Sequence, residues 1–374
     1  MKSKNKMKTP NRITPSMRHE MLTFAKLSLD EGKPAFIRMK RMAGGGSKRS
    51  FHRISFGDNC FAIFMHYDVS FEENKYYASI AEFLLKIGVP VPRIIGHDLH
   101  RGFIIMEDMG DTDLWSFRHQ SWPTRQNYYR KTLNIIHKLH SFCLRDIPTG
   151  KIAFMEGFGP ALYRWEQNYF IDHFVAGVCK ISLRPSIRNA LGEELNGLSD
   201  RLQKIHPCLI HRDFQSQNIM IKNDEPTLID FQGMRSGNFF YDLGSLLYDP
   251  YVSMTHEERT ELLDYYFRLM VHDEILSLDK RESGNFIHVM NDKRKPDSMR
   301  VDFILFQEMF QEASVQRIMQ ALGAYGYLGL KEHMREFLNH IPNGLNNLID
   351  VTARLNNLPL LSDLTQSCKK ALQD

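Results

Sequence analysis

Two short apolar runs in the middle of the chain, Ile219-Met220-Ile221-Lys222 and Thr227-Leu228-Ile229-Asp230, are joined by Asn223-Asp224-Glu225-Pro226, a cluster of turn formers. Runs of this length about such a cluster pair as a β-hairpin. Folding about that turn sets Ile219 opposite Asp230, so Asn218 and Asp230 reach the same end of the ribbon, about 5 Å apart. Just upstream, the strand-like Leu209-Ile210 leads into a tight polar loop with His211, Arg212 and Asp213. Three oxygen-bearing side chains, Asp213, Asn218 and Asp230, therefore meet where a strand, a loop and a hairpin join.

Magnesium takes oxygen ligands in an octahedron and commonly only one or two from protein. Asn218 and Asp230 suit that task, and Asp213 suits a carboxylate that orients a hydroxyl and accepts its proton. His211 is expected to bond loop backbone and Arg212 to offset the carboxylates. An ordinary hairpin with acidic turn residues is the plainer alternative. Against it stands the spacing His-x-Asp-x-x-x-x-Asn followed by Ile-Asp-Phe, which resembles the catalytic and metal loops of the kinase superfamily. The resemblance implies ATP and Mg2+ as cofactors.

With 374 residues the chain exceeds one ordinary domain. The expected class is α+β, a protein-kinase-like bilobal fold: a basic tail (1–12), a small antiparallel-sheet lobe that binds ATP (13–109), and a larger, mainly helical lobe for catalysis and substrate (110–374). A formal charge of +4 is too slight to argue for nucleic acid as a partner. Cys60, Cys143, Cys179, Cys208 and Cys368 are scattered and odd in number, which fits reduced thiols in the cytoplasm. The tail has basic residues without the apolar stretch of a signal peptide, and no membrane partner is expected.

Along the small lobe, Gly44, Gly45, Gly46, Ser47 and Lys48 form a run able to cover phosphates, since glycine lets backbone N–H groups approach closely. Taken alone, it reads equally well as a flexible hairpin turn. Ser70 with Glu73 predicts a capping box at the start of a helix reaching Ile87. The strand after Arg101 runs through Glu107 and Asp108 to Met109, a link of the kind that hinges two lobes. His137 and His140 are expected at the surface or at a cap. Residues 280–298 read as a polar loop or insertion, and 301–322 as a long helix with glutamines on its less apolar side.

Four stretches carry a closer resemblance: Val91-Pro92-Arg93 through Met106-Glu107-Asp108-Met109-Gly110-Asp111; Trp165-Glu166-Gln167-Asn168-Tyr169-Phe170; His211-Arg212-Asp213-Phe214 through Asp230-Phe231-Gln232 with Tyr241-Asp242-Leu243-Gly244; and Gln316-Arg317 through Gly323. They resemble the aminoglycoside phosphotransferase and choline kinase-like superfamily, and within it the bacterial branch that phosphorylates N-acetylmuramate and N-acetylglucosamine at the anomeric hydroxyl in cell-wall recycling. Only eleven residues separate Asp230 from Asp242, too few for a protein kinase's activation segment.

The resemblance implies a small-molecule sugar as partner, Asp213 as catalytic residue, Asn218 and Asp230 at the metal, and Glu107 and Met109 at adenine. Gln215 follows Asp213 closely enough to reach the same sugar, and Glu166 and Arg317, charges in otherwise apolar helical stretches that would be costly to bury unpaired, are candidates to meet it too. Glu166 and Arg317 are equally consistent with a structural ion pair. The third strand, Phe61-Ala62-Ile63-Phe64-Met65-His66, lacks the superfamily's phosphate-holding lysine. Lys48, Arg49 and Arg53 are the candidate replacements. That absence keeps a catalytically weak ATP-binding scaffold open, alongside a kinase for an aminoglycoside or a choline-like substrate.

Overall fold

A computed structural model describes residues 14–29, 37–42, 49–57, 59–148, 150, 152–273 and 302–373, with 72–73, 276–279 and 286–289 by backbone only. The chain opens with α1 (Pro15–Ser28), which the sequence reading passed over. Thr14 caps it by accepting the Met17 amide, and Pro15 takes the first turn, where its missing N–H costs nothing. Strands β1 (Ile37–Arg41), β2 (Ser50–Phe56) and β3 (Cys60–His66) follow. Next come α2 (Glu72–Lys75), α3 (Tyr77–Lys86), β4 (Ile94–Asp98) and β5 (Phe103–Glu107).

The five strands form one antiparallel sheet in the order β1-β2-β3-β5-β4. Met21 and Ala25 of α1 pack on one face of it against Ile54, Phe64, Phe103 and Ile105. Each such buried large side chain contributes about 1.5–3 kcal/mol. Gly96 admits α1, since a Cβ there would lie 2.5 Å from the Ser28 hydroxyl. The opposite face, with Met65, Ile104 and Met106, joins α3 in the main core.

Ser70 does not stand at the cap position, which falls on Phe71. Asp68 Oδ1 holds the Ser70 amide in a local turn, α2 begins at Glu72 without a side-chain cap, and a break at Tyr76 separates it from α3.

After Glu107 the chain is mainly helical: α4 (Trp122–His140), α5 (Pro160–Tyr169) continued by a π-helical segment (Phe170–Val178), and α6 (Pro185–Leu202). Short strands β6 (Cys208–Ile210), β7 (Ile219–Lys222), β8 (Glu225–Leu228) and β9 (Arg235–Gly237) carry the loop and hairpin. Helices α7 (Phe239–Leu247) and α8 (His256–His272) follow, then the paired strands β10 (Leu276–Asp279) and β11 (Phe286–Val289). The rest of the polar 280–298 segment, the 1–12 tail, and Gly44 through Lys48 lie outside the described residues. The chain closes with α9 (Phe303–Leu330), α10 (Ile341–Thr352) and α11 (Pro359–Ala371).

Helix α9, 28 residues long, is the axis of this lobe and packs against α5, the π-helical segment, α7 and α10. Gly326 lets it approach the π-helical backbone, where a Cβ would lie 2.3 Å from the His173 carbonyl oxygen. Two of its glutamines, Gln311 and Gln316, are buried, with Gln316 fully hydrogen-bonded inside, whereas Gln307 and Gln320 are half-buried. His137 and His140 are buried as well. His140 lies between Tyr266 and Asp242, and His137 meets Asp273. Among the described residues no helix is long and apolar enough to cross a membrane.

Candidate active site

The hairpin forms with a tighter turn than its composition predicts. Asn223 and Asp224 both adopt positive φ, 53° and 62°, so two residues suffice and Lys222 pairs with Glu225. Ile219 therefore faces Leu228, not Asp230. Asn218 still reaches the same end as Asp230, because its carbonyl accepts the Ile229 amide. Tyr128 and Lys131 of α4 hold the turn through the Asp224 side chain and carbonyl.

At the open end, Asn218 Nδ2 donates to the Asp213 carbonyl at 2.8 Å. That bond uses the amide nitrogen and leaves the Asn218 side-chain oxygen for another partner. Asp230 sits at φ 63°, a left-handed conformation that aims its carboxylate back toward the loop. Its Oδ1 accepts from Gln232 at 3.1 Å and from Arg49 at 2.6 Å. Two oxygen-bearing residues beside an open cleft fit a magnesium ion that draws its other ligands from water and phosphate. Among the described residues no cluster of three or more His, Cys, Asp or Glu could hold a metal by itself.

Asp213 is 26% exposed and faces the cleft between two guanidinium groups. Arg212 Nη1 lies 3.3 Å from Oδ2 and Arg317 Nη2 3.8 Å from Oδ1. Burial pushes its pKa upward, but Arg212, Arg317, His211 and Arg235 outweigh burial and hold it below the usual carboxylate range. The loop is strained, with Arg212 at φ 77°. Such a conformation costs about 1–3 kcal/mol and persists only where its surroundings impose it.

Here Asp242, wholly buried at the start of α7, accepts the His211 amide at 2.7 Å and the Arg212 amide at 2.8 Å. Burial holds His140 below its ordinary pKa, so it is neutral. It donates from Nε2 to Asp242 and accepts the Tyr266 hydroxyl at Nδ1. His211 itself bonds the Ile229 carbonyl. Asp249 fixes the next segment by accepting both the amide and the hydroxyl of Ser216. The sequence reading gave Asp242 and Asp249 no role. The available signal was a carboxylate at each end of an almost wholly apolar helix, where burial demands partners.

The cleft has a volume of about 920 Å³ and runs from the hinge, Glu107 to Gly110, past Asp230 and Asp213 to α9. Glu107, Met109, Gln215, Asn218, Asp213, Asp230, Arg49 and Arg317 all line it. Glu166 does not. It lies buried beneath the site, accepting from Tyr241 and Gln316, and burial pushes its pKa up. Arg53 is tied at the hinge, to Asp108, Asp111 and the Gly110 carbonyl. The hinge is also bridged by Lys222 of β7, which donates to Glu107 Oε1 and the Asp108 carbonyl.

Known proteins are similar to this chain in sequence and in fold. Over 297 residues the chain is 22% identical to an N-acetylmuramate/N-acetylglucosamine kinase of Pseudomonas aeruginosa, covering 79% of this chain and 78% of that protein. It is 24% identical over 272 residues to one from Neisseria meningitidis, covering 71% and 72%. Among solved structures, a choline kinase from Cryptosporidium parvum superposes with a TM-score of 0.58 at 12% identity, over 93% of this chain and 99% of that one. The gentamicin complex of an aminoglycoside phosphotransferase gives 0.54 at 13% identity, over 91% and 97%. These likenesses establish a protein-kinase-like fold, with the antiparallel sheet and the helical lobe on either side of the cleft. The phosphotransferase enzyme family model matches residues 39–271, a span from β1 to α8 that includes the hinge, the Asp213 loop and the Asn218–Asp230 hairpin, and the chain therefore belongs to that family and is a phosphotransferase.

Proposed function

We propose that the cleft binds ATP with Mg2+ and transfers the γ-phosphoryl group to the anomeric hydroxyl of N-acetylmuramate or N-acetylglucosamine. The division of the chain at Met109 then separates a nucleotide-holding part from a sugar-holding part. At the hinge the Glu107 amide is engaged by the Arg93 carbonyl and the Asp108 carbonyl by Lys222. An adenine edge would therefore bond the backbone of Met109. Asn218 and Asp230 would hold the metal, which when bound neutralises phosphate charge.

Asp213 orients the sugar hydroxyl and takes its proton. A carboxylate held below its usual pKa is a weak base. That suits a loose transition state in which positioning matters more than base strength. Leaving the hydroxyl aligned within about 3 Å of Asp213 is the geometric requirement.

The observation that carries the choice of substrate is the charge around Asp213. Arg212 and Arg317 flank it, with Gln215, Gln320, Tyr251, Tyr325 and Phe337 completing that end of the cleft. The other carboxylates lining the cleft belong to the hinge segment, as Glu107, Asp108 and Asp113, or to Asp230. Two guanidinium groups disfavour a cationic acceptor such as an aminoglycoside or choline, and favour a neutral or anionic sugar. Arg317 donates to Ser245 and Gln320. A lactyl carboxylate could take the place of Gln320 on Nη1.

The test is a panel of acceptors supplied with ATP and Mg2+, with ADP release and phosphosugar formation both measured. N-acetylmuramate and N-acetylglucosamine should be turned over, and choline and an aminoglycoside should not. Turnover confined to the cations, or none at all, would discard the assignment.

A further inference from the structure

The β3 residue that lines the cleft is Ile63, paired with Arg53 on one side and Met106 on the other. An apolar side chain there cannot hold phosphate. Among the described residues, the basic side chain that reaches Asp230 is Arg49, directly before β2 and only 8% exposed. The guanidinium Nη2 stands 2.6 Å from Oδ1, inside the space a metal bound by that oxygen would need. Metal–oxygen distances to magnesium are about 2.0–2.1 Å, so cation and metal cannot share this lone-pair direction.

The geometry points to Arg49 as a placeholder on the metal position that becomes the phosphate-holding cation once a triphosphate arrives. Without nucleotide, Arg49 neutralises Asp230 and competes with a free divalent cation. A metal that enters with a triphosphate brings its own oxygen ligands and offers Arg49 a more highly charged partner. Arg49 then turns from Asp230 to the phosphates, a bidentate match for its planar fork. Metal and nucleotide are thereby bound as one unit. Arg53 cannot serve this way, because Asp108, Asp111 and Gly110 hold it at the hinge. The inference rests on the kinase reading only in taking Asn218 and Asp230 as the metal position.

The experiment titrates the full chain with Mn2+ in the absence of nucleotide, following bound metal by electron paramagnetic resonance. The wild-type protein should bind weakly. Arg49→Gln should bind Mn2+ about tenfold more tightly, a change of about 1.4 kcal/mol, and adding Asp230→Asn to that variant should abolish the gain. Arg53→Gln should leave the isotherm as in the wild type, which separates the specific contact from a general loss of positive charge. With nucleotide present the sign reverses: Arg49→Gln should raise the KM for ATP at least tenfold, and Arg49→Lys should recover part of it. An Arg49→Gln protein that is folded by circular dichroism yet binds Mn2+ no more tightly than the wild type would overturn the placeholder role. The metal isotherms need no turnover, so a chain that phosphorylates no sugar but shows the Arg49 effect would lose the proposed function and keep this inference.

Discussion

The carboxylate of Asp242 lies 2.7 Å from the amide nitrogen of His211 and 2.8 Å from that of Arg212, thirty-one and thirty residues earlier in the chain. These bonds hold the left-handed turn at Arg212 and so set where Asp213 points. Asp242→Asn keeps the shape but turns one acceptor into a donor facing an N–H group. The loss should be about 2–4 kcal/mol of stability, read by urea denaturation. A fall in kcat should accompany it, with the KM for ATP little changed. Wild-type stability in Asp242→Asn would show that the loop holds its own conformation.

Asp213→Asn should retain nucleotide binding and lose at least about 10²-fold in kcat. Asp230→Ala, in contrast, should lose both turnover and metal-dependent ATP binding. Calorimetric ATP titrations in the presence and absence of Mg2+ distinguish the two. Near-normal turnover in Asp213→Asn would remove it from the chemistry.

Removing Arg317 takes away one of the charges that depress the Asp213 pKa. In Arg317→Ala that pKa should rise, so the base becomes protonated at higher pH and the acid limb of kcat/KM moves upward. The KM for N-acetylmuramate should also rise more than that for N-acetylglucosamine, while that for ATP stays put. Equal losses for both sugars, an unmoved acid limb and a lower Tm would mark Arg317 as structural.

Burial raises the Glu166 pKa, and its two partners, Tyr241 and Gln316, both donate to it. Glu166→Gln is close in shape, keeps an acceptor oxygen for Gln316, and gives the Tyr241 hydroxyl an N–H it can turn to accept, so it should alter stability by no more than about 1 kcal/mol and leave both sugar KM values within about twofold. A selective rise in one sugar's KM would place Glu166 in contact with substrate after all.

His52 is held neutral by burial first, then by Arg41, His66 and Arg18, and its pKa is pushed down to about 4. Burial lowers His66 and His140 as well. In the unfolded chain a histidine titrates near about 6.5, so below that pH the unfolded state binds protons the folded state refuses. Stability should therefore fall as pH drops from about 6.5 toward 4. Urea midpoints at pH 7.5 and pH 5.5 test this, and His52→Leu should flatten the difference.

The parts of the site that sequence exposes are those with short-range logic. Asp213, Asn218 and Asp230 sit in one loop and one hairpin, so spacing alone brings them together. The register was misjudged because both turn residues tolerate positive φ, and a two-residue turn displaced the four-residue one that composition favoured. Glu166 looked like a cleft residue because a charge in an apolar helix demands a partner. Whether that partner is substrate or Tyr241 depends on how α5 meets α7, a contact between distant segments. Arg49 was separable from Arg53 only once the hinge carboxylates had claimed the latter. Asp242 and His140 are farther still from local rules, since 102 residues separate them.

The β7 strand has a tethered residue at one end and the proposed metal ligand just beyond the other. Lys222 fastens it to the hinge, and Asn218 directly precedes Ile219, four residues from Lys222. At the rise of an extended chain that is about 13 Å. The strand thus acts as a ruler, with the hinge at its zero mark and the proposed metal position at its far graduation. Under the proposed function, a nucleotide seated at Met109 would have to span that distance for its phosphates to reach Asn218.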